Sequence, residues 1–242
     1  MLFTQSYIKK MLKFIKVFIK SLTHKKISYS YGGIDSLILN IFKNQKKGFY
    51  LDIGCGHPIK NNNTYLLNKK GWNGINIDLD EENIHLFNIY RKKDENINVA
   101  VSNDGGEVDL YFYHSKSSIN TISKETANYQ KAKVSSVKKI KSKTLNEILI
   151  NSKFKDIQID FLSIDVEGSE LLVLKNFDFK KYSPKVIVVE YLDLSLPKLE
   201  IKNLNIKNII NSQLYNLITS NNYTLANILH SDLVFINNDF RD

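Results

Sequence analysis

The sequence has few of the features that mark secreted or membrane-spanning proteins. It contains one cysteine, so it cannot form an internal disulfide framework. No apolar run approaches the ~20 residues that a membrane-spanning helix needs. Only 3 prolines are present, and no tract rich in proline, glycine and serine divides the chain. These absences favour a cytoplasmic protein without a linker.

Acidic residues are also scarce relative to basic ones. The 242-residue chain carries 34 Lys and Arg against 25 Asp and Glu, which gives a formal charge of +9. Such a surplus fits an anionic partner, and it fits equally a surface that is simply rich in solvated lysine. With 43% apolar residues, the chain suits one α/β domain with a sizeable core.

The first 22 residues contain no acidic side chain. Lysines at positions 9, 10, 13, 16 and 20 alternate with apolar residues at helical spacing, which predicts a basic amphipathic helix within the segment 1–27. This helix can pack on the domain 28–242, on a second subunit, or on an anionic membrane surface as a peripheral contact. We expect packing on the domain, and the sequence leaves the oligomeric state open.

The strongest local signal is a glycine turn. A short apolar run ends in Asp52, Gly54 and Gly56, which form the pattern D-x-G-x-G. Glycine lets a ligand approach the backbone closely, and the helix start that follows favours electron-rich groups. A dinucleotide site would need a third glycine where Ile59 stands. The turn alone fits either a nucleotide-type cofactor or a structural role.

An acidic residue at the end of the next strand strengthens the cofactor interpretation. The run 72–77 predicts a second strand that ends at Asp78. A carboxylate roughly 20 positions after the glycines commonly binds the two ribose hydroxyls of a nucleotide. Asp78 therefore favours a cofactor site over a structural turn.

Strands and helices alternate along the rest of the chain, as a parallel sheet requires. We predict helices over 81–92, 144–150, 169–174 and 206–219, and strands over 96–101, 161–164, 185–189, 223–229 and 233–236. Residues 108–113 alternate like one arm of an antiparallel hairpin. Residues 115–136 are polar, and they predict a long irregular loop that acts as a lid or binds substrate.

Four motifs in order resemble the FkbM family of methyltransferases. They are a Tyr-Ser-rich segment over 28–39, the D-I-G-C-G turn, T-L-N-E-I-L over 144–149, and I-D-V-E-G-S-E over 164–170 followed by 184–190. The last of these blocks is specific. The sequence departs from the family pattern at Tyr31, Asn146 and Ser163, and these departures concern substrate contacts more than the cofactor site.

This resemblance implies a class I methyltransferase fold, a Rossmann-like α/β domain with a mostly parallel seven-stranded sheet and helices on both faces. It implies S-adenosylmethionine as the cofactor, and methyl transfer to a hydroxyl of a sugar, glycan or related natural product. The glycines would admit the methionine part, the first aspartate would orient its ammonium group, and the second would bind the ribose. The residues expected to bind the cofactor are Asp52, Gly54, Gly56, Asp78, Val101, Ser102 and Asp165.

Removal of a proton from the acceptor hydroxyl requires a base near the carboxyl ends of the strands. The catalytic candidates are His57, Asp165 and Glu167. His57 titrates near neutrality, but it can also simply cap the glycine turn. Glu167 can likewise do no more than cap a helix N-terminus. Only two carboxylates, Asp165 and Glu190, are visible for Mg²⁺, so we predict no bound metal.

Two other functions stay open. The basic charge is compatible with a nucleic-acid methyltransferase. However, enzymes that methylate base nitrogens usually carry an N-P-P-Y-like tetrapeptide where residues 165–168 read D-V-E-G, and the lysines lack interleaved aromatics. The second is a non-catalytic scaffold of the same fold, against which the intact Asp52, glycines and Asp78 argue.

Overall fold

The computed structural model describes residues 9, 11–13, 15–16, 28–114, 117–196 and 201–241. Near the N-terminus the described residues are helical, and Met11, Leu12 and Ile15 are 49%, 51% and 41% exposed. The other residues of the predicted basic helix lie outside the described ranges, so its partner stays a prediction. Within those ranges, no helix combines the length and the apolar character needed to cross a membrane.

The described residues form ten strands in two sheets. The strands are β1 (Phe49–Ile53), β2 (Asn73–Asp78), β3 (Glu95–Asn98), β4 (Ala100–Val101), β5 (Gly106–Phe112), β6 (Ser136–Lys143), β7 (Phe161–Ile164), β8 (Val186–Glu190), β9 (Tyr223–Leu229) and β10 (Asp232–Asn237). Seven of them form one sheet in the order β3-β2-β1-β7-β8-β10-β9, in which β10 is antiparallel to both of its neighbours. The mostly parallel α/β fold predicted from the sequence is therefore confirmed.

Helices connect these strands. They are α1 (Ile34–Ile41), α2 (Tyr65–Lys69), α3 (Glu81–Tyr90), α4 (Lys124–Tyr129), α5 (Leu145–Asn151), α6 (Glu170–Leu174), α7 (Phe179–Tyr182), α8 (Ile206–Ile210) and α9 (Gln213–Thr219). Thr144 and Glu147 form a capping box that starts α5. The single helix predicted over 206–219 is wrong, because the Ser212 side chain caps a new helix, α9.

The core lies on both faces of the large sheet. Every residue of the central strands β1 and β7 is buried, as expected for parallel strands covered on two sides. Apolar side chains of α5, α6 and α9 pack on one face, and those of α1 pack with Trp72 on the other. The carboxyl ends of β1, β2, β7 and β8 therefore open together at one edge of a well-packed sheet.

The region between β3 and α5 differs most from the prediction. The strand predicted over 96–101 is divided at Val99, because β3 pairs with β2 whereas β4 joins a separate sheet of order β4-β6-β5. The predicted hairpin arm is β5, and its partner β6 has a lysine-rich, mostly exposed sequence without an apolar pattern. The loop predicted over 115–136 contains α4, which the Ser123 side chain caps.

Candidate active site

A cavity of about 580 Å³ lies at the carboxyl edge of the large sheet. Its wall combines the ends of β1, β2, β7 and β8 with the start of β10 and the loop 117–122. Open α/β sheets bind their ligands at this edge. Of the residues predicted to bind cofactor or act in catalysis, the wall includes Gly54, Gly56, His57, Asp78, Val101, Asp165 and Glu167.

Two predicted cofactor residues, Asp52 and Ser102, are not part of the wall. The Asp52 carboxylate is 3% exposed, and its Oδ2 accepts hydrogen bonds from Asn62 Nδ2 at 3.1 Å and Thr64 Oγ1 at 2.7 Å. Burial raises the pKa of Asp52. Ser102 is 2% exposed and bonds through Oγ to Ser142 Oγ at 2.8 Å. Both side chains are buried and bonded to other side chains, and their contact with a cofactor stays a prediction.

The two glycines of the turn meet different surroundings. Gly54 has a φ of +74°, and a Cβ added there would lie 1.7 Å from the carbonyl oxygen of Asp165. Only glycine therefore allows the ends of β1 and β7 to approach this closely. Gly56 has a φ of +55°, and the space beside its Cα is open. The turn contacts protein at Gly54 and leaves room for a ligand at Gly56.

Asp78 ends β2 on the cavity wall, where backbone donors fix its orientation. Its Oδ2 accepts from the Gly56 N–H at 2.8 Å, and its Oδ1 accepts from the Asp80 N–H at 2.7 Å. Burial raises the pKa of Asp78 to about 6, and these hydrogen bonds oppose the shift. Asn83 Nδ2 also donates to Oδ2, at 3.4 Å, so Oδ1 has the greater capacity to accept a further hydrogen bond, for example from a ribose hydroxyl.

His57 caps the loop that follows the glycine turn. Its Nδ1 accepts hydrogen bonds from the Ile59 and Lys60 N–H groups, both at 3.1 Å. Burial lowers the pKa of His57, with a smaller contribution from the charge of Lys60, so the ring is neutral near pH 7. A neutral imidazole that accepts at Nδ1 carries its proton on Nε2. His57 therefore presents a donor to the cavity, and its predicted role as a base stays untested.

Three carboxyl groups meet on the other side of the cavity. Asp165 follows β7, Glu167 lies two residues later, and Glu190 ends β8. One oxygen atom of each lies within 4.8 Å of the others. Asp165 is exposed to the cavity, whereas Glu167 and Glu190 are partly buried. Carboxyl groups this close can share protons or hold a cation between them.

The environment of this acidic cluster raises the pKa values of its members. Although Asp165 is reached from the cavity, the protein around the cavity removes much of its hydration, and this desolvation raises the pKa of Asp165 to about 6. Burial also raises the pKa of Glu167 to about 8, with the charge of Asp165 adding to the effect. The same two causes raise the pKa of Glu190 well above its usual value and that of the neighbouring Asp232 to about 7. A positively charged ligand here would favour the ionised forms.

The turn that carries Asp165 and Glu167 is held in an unusual conformation. Glu167 has a φ of +55°, which is strained for a residue other than glycine and is found most often at functional sites. The buried Glu170 carboxylate accepts from the Val166 and Gly168 N–H groups at 3.1 and 3.0 Å. Glu170, rather than Glu167, thus caps the free amides of this turn.

The comparisons with known proteins agree with this architecture. The sequence model of the methyltransferase FkbM domain matches residues 52–217, which is more than half of the chain. The chain belongs to the FkbM methyltransferase family. No curated protein matches it.

Three solved structures are similar to this FkbM-family chain at low identity. One is the methyltransferase FkbM from Methylobacillus flagellatus KT, with 14% identity and a TM-score of 0.47 over 78% of this chain and 43% of that chain. Another is a TehB-like SAM-dependent methyltransferase from Corynebacterium glutamicum ATCC 13032 Kitasato, with 10% identity, a TM-score of 0.42, and coverage of 95% and 98%. Monomeric WbdD matches with 11% identity, a TM-score of 0.42, and coverage of 84% and 39%. The chain thus spans less than half the length of the Methylobacillus flagellatus protein.

Some residues of the cavity wall were not predicted from the sequence. Glu190 was placed at the carboxyl ends of the strands as a possible metal ligand, Tyr31 was noted only as a departure that concerns substrate contacts, and Ser231 and Asp232 were assigned no role. Asp232 reaches the site because β10 pairs antiparallel with β8, which places Asp232 opposite Glu190. No local pattern indicates this pairing. These four wall residues include three that lie outside the range matched by the FkbM model.

Proposed function

We propose that this FkbM-family protein binds S-adenosylmethionine and transfers its methyl group to a hydroxyl oxygen of a sugar, glycan or related natural product. The observation that supports this most is one cavity that joins the glycine turn and Asp78 to the carboxyl groups of Asp165 and Glu167. Methyl transfer is an in-line displacement, so the protein must hold donor and acceptor in line and receive the proton of the acceptor. A cytoplasmic location is part of the proposal and rests on the single cysteine.

The cofactor would be held along the β2 and β1 side of the cavity. Asp78 would accept hydrogen bonds from the ribose, Gly56 leaves open space for the methionine part, and Val101 would lie by the adenine. When bound, the cofactor supplies an electrophilic methyl group on a positively charged sulfur. The acidic cluster suits such a cation, because each of its carboxyl groups gains ionised character beside a positive charge.

We assign proton removal to Asp165. It is the member of the acidic cluster that is exposed to the cavity, and a base with a pKa of about 6 is largely ionised at neutral pH. Glu167, with a pKa of about 8, retains a proton at that pH and can donate a hydrogen bond to the acceptor. The pair therefore offers one acceptor and one donor to a hydroxyl group.

A divalent cation is not part of the proposal, although the three oxygens within 4.8 Å of one another would suit Mg²⁺. The sulfonium of the donor already brings a positive charge to the cluster. Binding measured with and without Mg²⁺ separates the two cases. If binding requires Mg²⁺, the three carboxylates hold a metal ion and do not share protons.

The test is calorimetric titration of the full chain with S-adenosylhomocysteine. We compare the wild type with Asp78→Ala and with Asp156→Ala, an exposed aspartate outside the cavity wall. Micromolar binding that Asp78→Ala loses and Asp156→Ala keeps is the expected result. Transfer of labelled methyl from S-adenosylmethionine to free sugars, nucleotide sugars and glycans then identifies the acceptor. Absence of binding to the wild type would refute the proposal.

A further inference from the structure

An aromatic side chain stands exposed at the mouth of the cavity. Tyr31 lines the cavity and is nevertheless 63% exposed. Its ring centroid lies 4.7 Å from that of His230, with an interplanar angle of 56°. A tyrosine supported on one side and open on the other offers a rigid apolar surface to a ligand at low cost in side-chain entropy.

The backbone holds both rings in position. Gly32 has a φ of +73°, and a Cβ added there would lie 3.0 Å from His230 Cδ2, so the two loops are in close contact. His230 has a φ of +60° between β9 and β10, a strained conformation of the kind found at functional sites. The loop before α1 is anchored by the fully buried Asp35, which accepts from Ser28 Oγ at 2.6 Å and Ser30 Oγ at 2.9 Å.

The strand order places this aromatic pair away from the proposed cofactor. The strands β2, β1, β7, β8 and β10 are adjacent in that order, and neighbouring strands lie about 4.8 Å apart, so β10 is roughly 19 Å from β2. Asp78 ends β2, and His230 lies just before β10. Asp165 and Glu190 end the strands between them. A ligand on Tyr31 can therefore reach the acidic cluster while the β2 side is occupied.

The groups around Tyr31 indicate the chemistry of this ligand. The cavity wall that Tyr31 shares includes several polar residues, with Ser231 and Asp232 from the β9–β10 region and Lys60, Asn61 and Asn63 from the loop after the glycine turn. A wholly apolar acceptor would need apolar walls. A saccharide has an apolar C–H face that packs on the electron-rich face of an aromatic ring, and hydroxyl groups that bind polar side chains.

We infer that Tyr31, packed against His230, is a specificity-determining residue that binds the ring of a saccharide acceptor and presents its hydroxyl to the acidic cluster. The inference deepens the proposed function and rests on it. Both aromatic residues lie outside the range 52–217 that matches the FkbM model, and Tyr31 is a position at which the family-like segment 28–39 departs from the family pattern.

The test is saturation-transfer NMR of the full chain in the presence of saturating S-adenosylhomocysteine. The probes are the methyl glycosides of glucose, galactose, mannose and N-acetylglucosamine. Tyr31→Ala, which removes the ring, is compared with Tyr31→Phe, which keeps it. The matched control is Tyr90→Ala, because Tyr90 is 61% exposed at the end of α3 and lies outside the cavity wall.

We expect at least one glycoside to receive saturation at the C–H protons of one ring face. Tyr31→Ala should weaken its binding by about three- to tenfold, whereas Tyr31→Phe and Tyr90→Ala should stay within twofold of the wild type. All four proteins should bind S-adenosylhomocysteine equally by calorimetry, which also shows that the variants are folded.

Two results overturn the inference while the proposed function stands. The first is binding of S-adenosylhomocysteine without a signal from any of the glycosides. The second is a Tyr31→Ala protein that binds a glycoside as tightly as the wild type does. A wild-type protein that fails to bind S-adenosylhomocysteine refutes the proposed function itself, and the inference with it.

Discussion

The two sides of the cavity differ in how their carboxyl groups are hydrogen-bonded. On the β1 and β2 side, Asp52 and Asp78 each accept two or more hydrogen bonds from neighbouring donors. On the β7 and β8 side, Asp165, Glu167 and Glu190 face one another, and Oε2 of Glu190 is buried with no hydrogen-bond partner among the described residues. The first side is satisfied by the protein itself. On the second side Ser231 Oγ donates to Oε1 of Glu190 at 3.2 Å, and the closely spaced carboxyl groups still favour protons or a cation between them.

This difference suits the two sides of the site to different ligand groups. A carboxylate held by backbone N–H groups binds hydroxyls without reorganising, which is how preorganised polar groups act in binding and catalysis. Crowded carboxyl groups instead store unfavourable electrostatic energy that a positively charged ligand relieves. The β2 side is thus suited to recognising a sugar hydroxyl, and the β7 and β8 side is suited to a cation and to proton transfer.

The largest expected effect concerns the contact between the ends of β1 and β7, which belong to opposite sides of the cavity. Gly54→Ala places a Cβ against the carbonyl oxygen of Asp165, so we expect a loss of about 3 kcal/mol or more in the free energy of unfolding. Gly71→Ala is the control, because Gly71 also has a positive φ, +89°, but no atom near the added Cβ. It should lose only about 1–2 kcal/mol. Urea denaturation measures both, and equal losses would show that the ends of β1 and β7 are not in tight contact.

The second effect is a fall in stability as the pH rises. The unfolded chain releases the protons of Asp165 and Glu167 near pH 4, whereas the folded protein holds them until about pH 6 and 8. Their contribution to stability is therefore complete below about pH 4 and is lost as the pH rises through 6 to 8.

Glu167→Gln should remove part of this pH dependence. We expect the decrease in unfolding free energy between pH 5 and 8 to be on the order of 1–2 kcal/mol smaller in this variant, after allowance for contact with cavity water. Glu125→Gln changes an exposed residue of α4 and serves as the control. If the curves of unfolding free energy against pH are parallel for wild type and Glu167→Gln, then Glu167 does not have a raised pKa in the folded protein.

A third effect concerns the charge of the ligand. S-adenosylmethionine is positively charged at sulfur and S-adenosylhomocysteine is not, so only the former should gain from ionised carboxylates. We expect the affinity for S-adenosylmethionine, divided by that for S-adenosylhomocysteine, to increase roughly three- to tenfold between pH 6 and 8. Calorimetry at each pH measures the ratio, and Asp165→Asn should reduce the shift. A ratio that does not vary with pH would place the sulfur away from the cluster.

The smallest effect tests the cap at His57. His57→Ala removes the acceptor of two N–H groups and should cost about 1 kcal/mol of stability, whereas His57→Asn supplies another acceptor and should restore most of it. Thermal unfolding at pH 7 measures the difference. If both variants keep full stability and both lose methyl transfer, the base assignment moves from Asp165 to His57.

The sequence predicted the strand ends that border the cavity better than it predicted the part of the wall that contains Tyr31 and Asp232. The strand over 161–164, the end of β2 at Asp78 and a helix over 144–150 follow from local patterns, and the structure confirms them, with α5 over Leu145–Asn151. Tyr31 and Asp232 come together only because the long-range pairing of β10 with β8 brings the last hairpin to the loop before α1. No periodicity within either segment reports such a contact.

Local patterns also cannot say which way a side chain faces. The D-x-G-x-G motif located the glycine turn, but it did not indicate that Asn62 and Thr64 bind the carboxylate of Asp52, which is buried and not part of the cavity wall. In the same way, the motif around Asp165 identified the turn, while the assignment of the capping role to Glu170 required the positions of the Val166 and Gly168 amides.

The last hairpin of the sheet has an evolutionary consequence. β9 and β10 join the large sheet through β8 alone, and the segment between them carries His230 and Ser231 to the mouth of the cavity. Substitutions or length changes in this segment alter the cavity wall at Ser231 and the adjacent His230, while the glycine turn and Asp78 lie at the ends of other strands. Under the proposed function, changes in this hairpin would alter the choice of acceptor and leave the residues assigned to the cofactor in place.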